Sequence, residues 1–434
     1  MHFKYFMKII MVWIIFGGII TGQTPPESWT YKYTFPEIYR INAVTFTDSL
    51  QGWAVGLLDS AGTEKVGIIL HTEDGGNTWT EQVRDTTYSW LNDIVVTPDT
   101  MGWAVGLYQC FETRDGGISW NCVSREHFQC GQYTGLSDMQ SVALWPPATG
   151  VIVGTENIIA STSDGGQTWN CQEFIPTDGW LDTLHTIQFF TADTLIATGM
   201  GGVVGTVDGG LHWEMRYTEY LNYHRSAIVA PRFGWVISRE SHLLRSRNAG
   251  ITWEDLGQVF TDYTISVRDI SFSDSLLGWI CTSDGSIWET SDGGATWTER
   301  EITPDTAFVH IGTVPGQLSY AVNASGQFYV YHYNITNVSP QITGALPQHV
   351  WLSHGYPNPF NGAVTWYYIL PIQMHVRMTV YNLEGQRMDQ LFEATQSAGR
   401  HMVQWIPEQS SSGLYFGVLE TESKQHIQRV LYIK

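Results

Sequence analysis

Positive charge is scarce in this chain of 434 residues: Lys and Arg number 22 against 42 Asp and Glu, for a formal charge of −20 at pH 7. Sequence-independent nucleic-acid binding needs clustered basic residues on phosphates, and so does an anionic membrane surface, so neither is an expected partner. Cysteine is scarce too, with five residues at Cys110, Cys122, Cys130, Cys171 and Cys281. The odd count leaves at least one thiol unpaired, and no Cys-x-x-Cys or Cys/His spacing marks a metal centre. Cys110 and Cys122 flank one turn symmetrically, which admits a bridge across a hairpin. No long stretch repeats apolar residues every 3.6 positions, so helices should be few.

Long apolar runs are also missing, with one exception near the start. IIMVWIIFGGII (9–20) follows Lys4 and Lys8 and leads into TGQTPPE. At about a dozen residues it falls short of the roughly 20 that span a bilayer. Positive flank, short apolar core and small-residue exit predict a secretory signal over residues 1–22, cleaved near Gly22. Export would put the cysteines where disulfides are permitted.

What the chain has in abundance is glycine, with 43 residues, and tryptophan, with 19. Many of both fall in one repeated word: TEDGGNTW (72–79), TRDGGISW (113–120), TSDGGQTW (162–169), TVDGGLHW (206–213), SRNAGITW (246–253) and TSDGGATW (290–297). From Asp74 the copies are spaced by 41, 49, 44, 40 and 44 residues. A period in the forties built of short strands and turns is the mark of a propeller. Ahead of each copy stands a second short β-rich run, such as GWAVG (52–56 and 102–106), GWVIS (234–238) or GWICT (278–282). With an apolar run before it, another leading into the box and a fourth after the box Trp, each repeat supplies the four strands of one blade.

Six boxes give six blades, and the leftovers give a seventh. HIGTV (310–314), LSYAVNA (318–324) and QFYVYHY (327–333) are three strands without a box. SWTYKYTF (28–35) resembles a strand that follows a box, and Trp29 precedes Trp53 by the same 24 residues that separate Trp79 from Trp103. The N-terminal strand is therefore expected to complete the last blade, which removes the exposed edge of an open array. Within the boxes, Asp accepts local N–H bonds, the glycines take backbone angles that other residues resist, and Trp packs. Asp74, Asp115, Asp164, Asp208, Asn248 and Asp292, with Trp79, Trp120, Trp169, Trp213, Trp253 and Trp297, are thus read as structural.

These words resemble the Asp-box, or BNR, repeat of sialidases and sortilin-type receptors. Residues 28–333 are most similar to the photosystem II stability and assembly factor family, which implies a seven-bladed propeller. That repeat is shared by binders and enzymes, so it implies no activity.

Residues 334–352 read as a linker. From 353 to 434, alternating runs separated by Gly, Pro and Asn predict a small Ig-like β-sandwich. YPNPFN (356–361), YNLEGQ (381–386), SGLY (412–415) and the terminal Lys434 resemble the type A C-terminal sorting domain of type IX secretion. The resemblance implies delivery by an outer-membrane translocon to the cell surface or medium. A generic Ig-like adhesion module is the alternative. The expected organisation is all-β: signal 1–22, propeller 23–333, linker 334–352 and sandwich 353–434.

Function is expected on the propeller face opposite the boxes. Asn42, Asn92, Gln140, His185, Arg225 and Arg268 align at one slot entering the inner strands, with Tyr88, Trp90, Tyr133, Trp180, Tyr220 and Tyr223 nearby. Aromatic anchors with a few polar groups suit a glycan or protein ligand, for which Trp90, Tyr133, Trp180, His185, Tyr223, Arg225 and Arg268 are the candidates. The plainer reading is that strand ends need polar partners. Neither an enzyme nor a cofactor is expected, since GMGGVVG (199–205) has no helix after it. The alternative is a glycoside hydrolase, sialidase-like or β-glucan-cleaving, using Asp93, Asp182 or Asp269, with Glu219 and Tyr220 as a conceivable pair beside Arg40, Arg225 and Arg268.

Overall fold

The computed structural model describes residues 28–332 and 350–432, apart from 37–38, 61–63, 86–88, 98–100, 125–126, 130–137, 146, 175–182, 301, 303–305, 316, 353–354, 356–363, 397–398, 408–409 and 422–423. The expected signal, most of the linker, the YPNPFN opening and Lys434 lie outside these residues. No α-helix occurs among the described residues. Antiparallel sheets follow one another along the chain, each running inward to outward. The first comprises Tyr39–Phe46, Gly52–Ser60, Glu64–Thr72 and Thr80–Asp85. The second, third and sixth repeat this order, and the third gains Phe128–Gln129 as a parallel outer strand.

The fourth and fifth sheets are fused. Glu214–Val229 is one 16-residue strand that pairs first with Leu195–Thr206 and then with Phe233–Ser238. It is at once the outer strand of the fourth blade and the inner strand of the fifth. The seventh blade is Phe308–Val314, Leu318–Asn323 and Gln327–His332, closed by Trp29–Thr34 from the N-terminus. Trp29 stands opposite Tyr331 and Thr34 opposite Gln327, the closure expected from the 24-residue Trp spacing.

A blade is buried on both faces, which is why its middle strand is continuously apolar rather than alternating. Trp53 and Val55 pack toward the second blade, while Ala54 packs toward the seventh. Seven apolar clusters result, one for each contact between neighbouring blades, including the last with the first.

The box turns fasten these contacts. In the third box Thr162 Oγ1 donates to Asp164 Oδ1 at 2.8 Å and accepts from Gly166 N at 2.9 Å. Asp164 in turn accepts Thr168 N at 3.0 Å and Thr168 Oγ1 at 2.7 Å. All six copies repeat the pattern, even that of Asn248, whose Nδ2 donates to Thr252 Oγ1 at 2.8 Å while its Oδ1 accepts Thr252 N. The side chains at the Asp or Asn position and at the Thr or Ser ahead of it are thus satisfied inside the turn. Its outside is seated on the preceding blade: Trp53 Nε1 donates to Gly117 O at 3.3 Å and Trp235 Nε1 to Gly293 O at 3.0 Å.

The box carboxylates make acid stability predictable. Bonds from the Ser119 hydroxyl and N–H, then from Thr113, lower the Asp115 carboxyl to about 2, and those from Thr168 and Thr162 do the same for Asp164. The His212 N–H and ring lower Asp208, and the turn bonds outweigh burial at Asp74 and Asp292. A carboxyl whose folded value lies below the unfolded one, about 3.9, adds stability above that value and loses it as pH falls through the folded one. The melting temperature is therefore expected to drop steeply between about pH 4 and pH 2. Asp164→Asn, built like the natural Asn248 turn, should fold at neutral pH and lose less on acidification, as melting curves across that range will show.

Cys110, Cys122 and Cys281 are free and Cys171 is disulfide-bonded, while Cys130 lies outside the described residues. The bridge admitted between Cys110 and Cys122 is therefore absent. Cys122 stands opposite Phe111, the next residue after Cys110, and adjacent strand residues point to opposite faces.

The C-terminal sandwich sets Trp351–Leu352, Val364–Leu370 and Gly399–Trp405 against a sheet ordered Arg387–Gln396, Met374–Asn382, Gly413–Thr421 and Gln425–Tyr432. Trp366, Tyr368, Met378 and Leu419 fill its core.

Candidate functional site at the channel mouth

Every inner strand carries a β-bulge at the same height. The unpaired residues are Asn42, Asn92, Gln140, His185, His224, Arg268 and Val309. Six of the seven are polar, and five are those that sequence alignment placed in one slot. The exception is a correction: in the fifth blade the slot belongs to His224, and Arg225 is one position further on, opposite Ile237.

Much of the slot is occupied with joining blades. Asn42 Nδ2 donates to Leu91 O at 2.7 Å, Asn92 Nδ2 to Met139 O at 2.8 Å, and His224 Nε2 lies 3.2 Å from Val267 O. In each case the acceptor is the residue before the bulge of the next blade. The following position continues the ring. Asp93 accepts Ser141 Oγ at 2.7 Å and Val142 N at 3.0 Å, and Asp269 accepts Ile311 N at 3.1 Å. Thr186 Oγ1 lies 2.8 Å from Ser226 Oγ. An inner strand cannot hydrogen-bond sideways to the next sheet through its backbone, so side chains do it.

These contacts set the ionisation of the ring. Burial raises the Asp93 carboxyl, and the Val142 and Ser141 bonds only partly offset it. At Asp269 burial acts the same way but is outweighed by the His310 charge and bond and by Arg225, so its carboxyl is lowered. Burial, then the Arg225 and Arg239 charges, lower His185 to about 4 and hold His224 well below its ordinary range. Both imidazoles are neutral at pH 7.

Around the fifth and sixth blades these groups leave a surplus of positive charge. Arg225 Nε lies 3.4 Å from Asp269 Oδ1 and is half-buried. Arg239 and Arg268 are exposed, and neither enters an ion pair among the described residues. The backbone brings the two together, since Val267 N donates to Arg239 O at 3.1 Å. In the first blade, Lys65 Nζ sits 5.2 Å above the half-buried Trp90 ring. Arg239 carried no sequence signal of its own, because it lies in a strand-to-strand turn that no repeated word covers.

Other candidates stand elsewhere. Tyr223 is fully buried between the fourth and fifth blades, its hydroxyl 2.9 Å from Glu219 Oε2 and 3.1 Å from His242 Nδ1, so it offers no ligand-facing surface. Glu219 accepts from the Tyr217 and Tyr223 hydroxyls, and Tyr220 is largely exposed. Burial and the Glu219 bond push the Tyr217 hydroxyl up to about 12. Tyr88, Tyr133, Trp180 and Asp182 lie outside the described residues.

A closed seven-bladed propeller followed by a β-sandwich defines the class of protein. Residues 354–434 match the family described as secretion system C-terminal sorting domain, which assigns export by type IX secretion to the cell surface or medium. No curated protein sequence matches the chain. Among solved structures, the chain is similar to YCF48 bound to D1 peptide, at 19% identity over 72% of this chain and 99% of that one, TM-score 0.56. YCF48 from Cyanidioschyzon merolae is similar at 17% identity over 70% and 98%, TM-score 0.54. So is PorZ, an essential bacterial surface component of the type IX secretion system of Porphyromonas gingivalis, at 14% identity, TM-score 0.55. That alignment covers 93% of this chain but 60% of PorZ. Likenesses this distant establish the propeller fold and no more.

Proposed function

We propose that the propeller is an exported binding scaffold whose channel mouth takes a carboxylate-bearing protein segment. The carrying observation is the exposed pair Arg239 and Arg268, without carboxylate partners among the described residues of a chain whose net charge is −20. Guanidinium forks hold carboxylates in bidentate fashion. The half-buried Arg225 and the neutral imidazole of His185 stand behind them. A protein segment is the first ligand to test because one structural neighbour, YCF48, is described with a bound peptide. The boxes support the same division of labour, for their Asp carboxylates are engaged by Thr, Ser and His groups of the same turns.

The glycosidase alternative has less support. Asp93 and Asp269 each hold backbone N–H groups of the next blade, and a carboxylate so engaged is not free to act as acid or nucleophile. We therefore read the chain as a binder without catalytic activity.

Screening arrays of Asp- and Glu-terminated peptides alongside acidic glycans tests this. Charge-assisted hydrogen bonds contribute roughly 1.5–3 kcal/mol each, so Arg239→Ala with Arg268→Ala should weaken a captured peptide about a hundredfold or more. Binding should also fall with added salt. Binding unchanged in the double variant would refute the site, and capture of glycans alone would refute the ligand class.

A further inference from the structure

We propose that Arg225 is a third, pre-set fork of the channel mouth, and that the segment taken there carries two carboxylates close together. This rests on the reading of Arg239 and Arg268 as a carboxylate site. The three arginines spring from one connected set of bonds at the seam of the fifth and sixth blades. Val267 N donates to Arg239 O at 3.1 Å. His224 Nε2 lies 3.2 Å from Val267 O, and Arg225 Nη1 donates to His224 O at 2.9 Å. Arg225 Nε stands 3.4 Å from Asp269 Oδ1, and Asp269 follows Arg268 in the chain. The charges also reach common targets. Arg225 and Arg239 both act on the His185 and His224 imidazoles, while Arg225 and Arg268 both act on the buried Cys281 thiol.

Arg225 differs from the other two in being held. A guanidinium carries five N–H groups in one rigid plane. Two of those on Arg225 face Asp269 and His224 O, and the other three have no partner among the described residues. Asp269 is buried and itself locked, accepting Ile270 N at 2.9 Å and Ile311 N at 3.1 Å, with His310 Nδ1 at 2.7 Å. A side chain fixed in this way gives up little further freedom when a ligand arrives, which favours binding.

Charge sets the ligand class. Among the described residues, Asp269 is the one carboxylate paired with any of the three guanidinium groups. Asp284, in a turn of the sixth blade, is engaged by Thr282 Oγ1 and Ser286 N. Glu240, beside Arg239, is exposed and enters no ion pair among the described residues, so salt screens it. Three positive charges against one buried carboxylate leave a surplus that two further carboxylates match. One carboxylate serves Arg239 and Arg268 at the rim. The second is needed for the open N–H groups of Arg225, a half-buried cation whose only counter-charge is shared with His310.

The test titrates the full chain, followed by NMR, with end-blocked peptides carrying one Asp, two adjacent Asp, or two Asp separated by Gly. A two-Asp peptide should bind the unaltered protein about tenfold or more tighter than the one-Asp peptide, as one added charge-assisted bond contributes. In Arg225→Gln the peptides should bind alike. An unaltered protein without the preference, or an Arg225→Gln protein that keeps it, overturns the proposal. Were Arg225 only a tie to Asp269, its substitution would lower the melting temperature and leave the ratio of affinities as it is. The one-Asp peptide tests the underlying site separately, since its binding should be lost in the Arg239→Ala, Arg268→Ala protein. If no peptide binds the unaltered chain, site and refinement fall together. Should Arg225→Gln fail to fold, the Arg225 Nε–H resonance of the unaltered chain decides: it should shift with a two-Asp peptide and not with the one-Asp peptide, and equal responses overturn the proposal.

Discussion

Deleting residues 28–35 is expected to abolish the cooperative melting of the propeller. The strand they form is the outermost of the seventh blade, and it carries Trp29 edge-on to Trp279 of the sixth blade at 5.2 Å. At its other end Phe35, 1% exposed, packs among Val322, Phe328 and Ile41 at the contact between the seventh and first blades. Removing one strand therefore strips two blade contacts at once. Burial of a large apolar side chain contributes about 1.5–3 kcal/mol, so losing Phe35 with the partly buried Trp29 and Tyr33 costs on the order of 5 kcal/mol. That is comparable with the roughly 5–15 kcal/mol that holds a whole domain together. The exposed edge of Gln327–His332 would also invite association with other chains. Circular dichroism should show a broad, shallow melt, and size-exclusion chromatography should show oligomers. A synthetic peptide of residues 28–35 should restore the sharp transition, as should moving the same residues behind His332 through a copied DGG turn. A truncated chain that melts as sharply as the full one would mean the ring is closed by something other than this strand.

The blade count was legible because the repeated words lie within single hairpins, where the hydrogen bonds of the box Asp and Thr side chains reach no further than four residues. The closure was legible for a similar reason: Trp29 keeps the in-blade spacing to Trp53. What the sequence hid were contacts between blades. Trp53 reaches Gly117 across 64 residues and Ser141 reaches Asp93 across 48, and no local pattern reports such pairs. Hence the slot of polar residues looked like a ligand ring, when Asn42, Asn92 and His224 are engaged in stitching one sheet to the next. The one-residue slip at Arg225 has a particular cause. The fourth blade runs into the fifth as the unbroken strand Glu214–Val229, so no turn residues mark where one ends and the other begins. Tyr223 was misjudged for the same reason, since an aromatic in a supposed surface loop proved to be a core residue of that strand.

Alanine at Gly166 and alanine at Gly257 are expected to differ by about 1–3 kcal/mol, although the two backbones are alike. Gly166 has φ +84° and Gly257 φ +78°, so both substitutions incur the left-handed penalty of about 1 kcal/mol. They differ in what a β-carbon would meet. At Gly257 there is nothing within 4 Å, whereas at Gly166 Trp103 Cζ2 stands 2.0 Å away. Trp103 has nowhere to go: it is fully buried and edge-on to Trp169, with ring centroids 5.0 Å apart. Overpacking a rigid core costs about 1–3 kcal/mol beyond the backbone term. Gly257→Ala should therefore lower the denaturation midpoint slightly and Gly166→Ala severely, with the slope of the transition unchanged in both. The comparison isolates the contact between a box turn and the middle-strand Trp of the preceding blade, because the turn's own hydrogen bonds are untouched by either change. If Gly166→Ala were as mild as Gly257→Ala, the third box would not be seated on Trp103. The boxes would then lose their role as joints, and the reason for looking to the opposite face for function would go with it.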